Sequence, residues 1–214
     1  MLSVKYIFLR MNSHREILVV TILCVLTALF SFASEVKATT FGFEWQTLSG
    51  GDAYMLSSQD NLNSNYNSTI YNNGRAKWNS SVPDAHIVIN GTTFSNSTVD
   101  MYSVSTTTWN NNGWGPYIAW AQMWNNGTAC NPTPTSSISC TGAVVDYGAI
   151  YFNEGQEPAS STTRSGVIAH EIGHLAGLAH TTTLDPSLMT SYVNDPLWRS
   201  SPTTYDINQM NSLY

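Results

Sequence analysis

Three histidines and a glutamate near the C-terminal end of this 214-residue chain have the types and spacing to hold a metal ion and activate water. Residues 170–180 read His170-Glu171-Ile172-Gly173-His174-Leu175-Ala176-Gly177-Leu178-Ala179-His180. On a helix, positions i and i+4 lie one above the other, so His170 and His174 can place two imidazoles on one ion. Glu171 directly follows the first of them, where its carboxylate can reach a water on the ion rather than the ion itself. Gly177 lacks a Cβ, so it can take a positive φ, end the helix and turn the chain until His180 supplies a third nitrogen. Three neutral imidazoles suit a tetrahedral zinc with one open position, a catalytic rather than a structural arrangement. The competing reading is ordinary helical histidines. At average frequencies, however, the five fixed residues coincide in roughly one chain of this length in 10^5.

For these groups to meet, a helix must begin near Thr162 and bury Val167, Ile168 and Leu175. Upstream, residues 41–56 read as a first strand, and Ser68 can cap a helix through Ile70, Tyr71 and Trp78, weakened by Gly74. His86-Ile87-Val88-Ile89 reads as a buried strand before an Asn90-Gly91 turn, with His86 as a core histidine, and 99–105 as another strand. Tyr117 to Trp124 forms an apolar run; residues 143–145 and 149–152 form a further strand bent at Gly148. Strands with helices before and after them give an α+β order.

The motif resembles the zinc signature of the metzincin metallopeptidases, and Ser187-Leu188-Met189 is similar to the turn carrying the methionine beneath the metal in that family. Gly173 and Thr181 are most similar to the matrixin branch, and residues 204–214 to its short terminal helix. The resemblance implies a metzincin-type catalytic domain over 39–214. Its twisted, mostly parallel mixed sheet would carry an antiparallel edge strand, an active-site helix and a C-terminal helix. The edge strand falls at 117–122, where Ile118, Ala119 and Trp120 would offer backbone groups to an extended peptide; core packing of Trp120 and Trp124 is the alternative. Met189 would floor the site, and Thr190, Ser191 and Tyr192 would wall the pocket for the side chain after the cut. Matrixins usually place Tyr-Pro where Thr190 and Ser191 stand. Tyr192 lies one residue too far on for the zinc-binding tyrosine of other metzincins.

At the other end, Lys5, Arg10 and Arg15 precede an apolar run from Ile17 to Ala33, in the form of a secretory signal peptide over 1–38. Cleavage fits after Ala33 or Ala38, and an uncleaved membrane anchor is the rival reading. Without residues 1–38 the chain keeps four basic and twelve acidic side chains, which argues against nucleic acid and anionic membranes as partners. In an exported chain, Cys130 and Cys140 read as a disulfide closing a short loop. Asp146, Asn153, Glu154 and Glu157 offer oxygens for calcium, though solvated acidic side chains explain them equally well.

Together these readings give a secreted, extracellular, monomeric zinc endopeptidase acting on proteins or peptides, with no stable membrane attachment after leader removal. Zinc would lower the pKa of its water and Glu171 would act as general base. The alternatives are a zinc-holding recognition module and a narrow processing protease.

Overall fold

Alternate apolar residues Ala53 and Met55, and likewise Val99 and Met101, place one side of each strand in the core, and a parallel sheet grows from them. A computed structural model describes residues 40–46, 52–81, 86–181 and 184–214. The chain divides into units 1–37 and 38–214, and the expected signal peptide over 1–38, with both expected cleavage points, lies outside the described residues. No helix among the described residues is long and apolar enough to cross a membrane.

The strands are β1 (Glu44–Trp45), β2 (Ala53–Asn61), β3 (Ile87–Gly91), β4 (Val99–Val104), β5 (Ala119–Asn125), β6 (Thr128–Ala129), β7 (Val144–Val145) and β8 (Tyr147–Asn153). The helices are α1 (Ser68–Ser81), α2 (Thr106–Asn111), α3 (Ser161–Leu175) and α4 (Thr204–Asn211). Six strands form one sheet in the order β3-β2-β4-β8-β5-β6, and β1 pairs with β7 in a second, two-stranded sheet. Strands β3, β2, β4 and β8 run parallel, while β5 is antiparallel to β8. This is the mixed sheet with an antiparallel strand near its margin that the metzincin resemblance implies.

Helices α1 and α3 pack together on one face of the sheet. Ile70, Trp78, Ile168, Ile172 and Leu175 share a core with Met55, Met101, Ile150 and Phe152. The Trp78 indole donates to Ala169 O at 2.8 Å, which satisfies its polar edge inside that core. The opposite face is closed by rings rather than by long helices. Tyr102 stacks on Tyr151 and Tyr151 on Trp120, while Trp114 packs edge-on against both Trp120 and Trp109 of α2.

Several local expectations change. The single strand read over 41–56 is two strands in separate sheets. Strand β2 also runs on through Ser57, Ser58 and Gln59, whose polarity hid it. The strand thought to bend at Gly148 is likewise split between β7 and β8. Asn90 and Gly91 end β3 instead of forming a turn. The cap of α1 is Asn67, whose Oδ1 accepts from Thr69 N and Ile70 N, one residue before Ser68. His86 precedes β3 with φ +49° and bonds Asp52 at 3.0 Å; it is a partly exposed residue, not a core histidine. Helix α3 starts at Ser161, capped by Ser160, beside the expected Thr162.

Candidate metal centre and active site

Helix α3 buries every residue from Ser165 to Leu175, so the face carrying His170 and His174 lies inside the domain. The helix stops by a Schellman motif: Leu178 N–H donates to Gly173 O and Gly177 N–H to His174 O, both at 3.0 Å. Gly177 has φ +98°, and a Cβ there would lie 2.7 Å from Phe43 O, so both conformation and space call for glycine. That turn brings His180 back. Its Nε2 lies 3.2 Å from Nε2 of His170 and 3.1 Å from Nε2 of His174.

The other ring nitrogens decide what the three Nε2 atoms can do. His170 Nδ1 faces Leu188 O at 2.7 Å and His174 Nδ1 faces Leu178 O at 2.8 Å. A carbonyl only accepts, so both rings carry their proton on Nδ1 and aim bare lone pairs at one point. Burial and the neighbouring imidazole of His180 hold the pKa of His170 down to about 3. Burial, then the rings of His170 and His180, holds His174 well below the usual range, and burial lowers His180 as well. Converging neutral nitrogens repel unless a cation lies among them. A tetrahedral zinc with Zn–N bonds of about 2.0–2.1 Å sets its nitrogens roughly 3.3 Å apart. The residues fit zinc, and these three are the group able to hold a metal among the described residues.

Glu171 is buried between α3 and the sheet, where it accepts a hydrogen bond from the backbone N–H of Ala121. Burial pushes its pKa up to about 8, partly offset by that bond; a cation beside it would favour the carboxylate. Phe41 packs its ring 5.5 Å from that of His174, and its N–H bonds Gly177 O. Met189 is buried under the helix. A Cβ on Gly173 would come within 2.6 Å of its sulfur, so helix and thioether touch only because position 173 has no side chain.

A family model of the matrixin peptidases matches residues 49–214, which include every residue of this constellation except Phe41. The chain belongs to the matrixin family. Matrixins are zinc metallopeptidases, so the substrates are proteins or peptides. No curated protein matches the chain.

Sequence reasoning passed over the residue that holds the methionine turn of this matrixin. Asp206 of α4 is fully buried and accepts from Leu188 N, Ser187 Oγ, Thr203 N and Thr203 Oγ1. Leu188 in turn presents its carbonyl to His170. The legible signal was Thr203-x-x-Asp206, a capping box that α4 does form.

The remaining candidates separate. Of Ile118, Ala119 and Trp120, only Ala119 turns its backbone groups away from β8. Ile118 O accepts from Asn153 N, and Trp120, paired with Tyr151, packs its ring on the outer face. Thr190 is buried with its hydroxyl on Ser187 O, whereas Ser191 and Tyr192 are exposed, Tyr192 by 74 %. Cys130 and Cys140 are disulfide-bonded, with Cα atoms 5.2 Å apart. Of the oxygens offered for calcium, those of Glu154 and Glu157 meet at Asn63 Nδ2. Asp146 precedes β8, while Asn153 closes it and Glu154 and Glu157 follow; the two glutamates accept from the side chains of Asn63 and Asn65.

Proposed function

We propose that this matrixin is a secreted endopeptidase that cuts extracellular proteins with Glu171 as its general base. The observation that carries the reading is the convergence of three imidazoles, two of them protonated on Nδ1, beside a buried carboxylate tied to strand β5. His170, His174 and His180 would hold zinc, which when bound supplies a Lewis acid and a strong lowering of the water's pKa. Glu171 takes the proton from the attacking water and delivers it to the leaving amine. Its bond to Ala121 N–H keeps the carboxylate aimed into the cleft through both transfers. Ala119 pairs with the backbone of an extended substrate, and the exposed Ser191 and Tyr192 contact the side chain after the cut. The leader-like segment over 1–38 and the Cys130–Cys140 bridge support export to an oxidising compartment.

The test is casein hydrolysis by purified residues 39–214, with metal content measured in parallel. About one zinc per chain, with activity lost to chelator and restored by zinc, is expected. Glu171→Gln should retain zinc and lose at least about a thousandfold in rate; full activity in that variant would remove Glu171 as the base. Stoichiometric zinc without cleavage of casein or a diverse peptide library would leave a recognition module instead.

A further inference from the structure

Strand β5 runs between β8 and what ought to be an open margin, and the ownership of that margin is divided residue by residue. Ile118, Trp120, Gln122 and Trp124 turn their backbone groups toward β8, so Ala119, Ala121, Met123 and Asn125 turn theirs outward. Strand β6 takes the far end, pairing Asn125 with Thr128 and Trp124 with Ala129, and Cys130 N–H continues the ladder onto Met123 O at 2.8 Å. There the returning backbone stops. Cys130 O is occupied by Ser139 N–H and Ser139 Oγ, and Pro132 has no N–H to offer. The ladder nevertheless goes on for one more step, made by a side chain. Asn131 Oδ1 accepts from Met123 N–H at 2.9 Å, and Asn131 Nδ2 donates to Ala121 O at 2.8 Å. A carboxamide carries the same donor and acceptor as a peptide unit, and this one is 5 % exposed, so water does not compete for it. Gln122 Nε2 adds a bond to Asn131 O at 3.2 Å. The last outward group, Ala121 N–H, is held by Glu171. Among the described residues, Ala119 alone keeps an unclaimed outward pair of backbone groups on β5.

We infer that Asn131 is a specificity-determining residue that ends the substrate ladder: its side chain stands in for a strand residue and restricts backbone pairing to Ala119. A peptide lying along β5 gains its hydrogen bonds at that one position. On the side running toward Met123, further substrate residues find the edge already filled. The Cys130–Cys140 bridge and the Ser139 bonds anchor the base of the loop, so the amide is held in place before any substrate arrives. Recognition on that side therefore depends little on substrate length and falls to side chains instead.

The inference rests on the endopeptidase reading, and a backbone scan separates the two. A quenched peptide built on a casein site that the zinc-loaded enzyme cuts would be N-methylated one amide at a time. Methylation of the amide facing Ala119 should lower kcat/KM at least about fivefold, the size of one net hydrogen bond, while amides further toward Met123 should respond by less than about twofold. In Asn131→Ala, with zinc content and circular dichroism unchanged, those further amides should become sensitive by roughly fivefold. Wild-type sensitivity at the further amides would overturn the inference, as would an unaltered profile in the folded variant. If Asn131→Ala fails to fold, the wild-type scan decides alone. No cleavage of any peptide would remove the endopeptidase reading itself, a result distinct from cleavage with a long ladder.

Discussion

The buried carboxylate of Asp206 gathers donors from two separate turns of the chain. Leu188 N–H and Ser187 Oγ come from the methionine turn, and Thr203 N–H and Oγ1 from the start of α4. Leu188 then accepts from His170 Nδ1, so two hydrogen bonds in series link α4 to the first of the three histidines that would hold the metal. Partners that orient a ligating histidine typically change metal affinity by about 10–100-fold when lost. Asp206→Ala would strand buried backbone donors at about 1–3 kcal/mol each. The expected outcome is a stability loss of roughly 3 kcal/mol or more in urea, with zinc affinity down about tenfold in a competition titration. Unchanged zinc affinity in the folded variant would mean that Leu188 is held in place without Asp206.

Gly74 carries the corresponding lesson for elements. In an isolated helix, glycine costs about 1 kcal/mol relative to alanine, and by that measure it weakens α1. In the fold, a Cβ at 74 would lie 2.6 Å from Ile168 Cβ and 3.0 Å from Ser165 O, so the residue lets α1 press directly onto α3. Gly74→Ala should therefore destabilise by about 1–3 kcal/mol despite its better propensity, because neither contact is a flexible chain end. A gain in thermal stability would show that α1 can slide away without penalty. The same distinction governs what could be read beforehand. The histidines, Glu171 and the Gly177 turn were legible because their spacing is local to one helix and its end. The parallel strands Ile87–Gly91 and Val99–Val104 were legible from their apolar content. Asp206, Asn131 and the split of 41–56 were not, because each depends on which distant segment arrives beside it. Polar Ser57 sits buried in β2 because the distant Tyr71 supplies a partner for its hydroxyl, while the Ser58 hydroxyl accepts from the nearby Asp60 N–H.

Across the whole domain, phenols take the place of charges on the buried side of the surface. The outer face of the sheet is closed by Tyr102, Tyr147 and Tyr151 among tryptophans. Tyr66 lies in the core, and Tyr214 at the chain end receives Trp45 N–H while donating to Ala176 O. Burial pushes the pKa of Tyr151 up to about 12. It also raises Tyr66 and Tyr214, and it raises Tyr147, whose hydroxyl donates to the Asp100 carboxylate at 2.6 Å. A phenol whose pKa is higher folded than unfolded favours the fold while it stays neutral. Its contribution is complete below the unfolded value of about 10, and it is lost as pH rises from there through the folded value. The domain should thus keep its thermal midpoint up to about pH 10 and lose it steeply toward pH 12. Tyrosinate absorbance near 295 nm should rise together with unfolding, because the buried phenols ionise readily only once released. Ionisation of most tyrosines near pH 10 with circular dichroism intact would show that water reaches these hydroxyls and that the outer face is not closed. Chelator should leave this alkaline limb in place, since the phenols that set it do not belong to the histidine site.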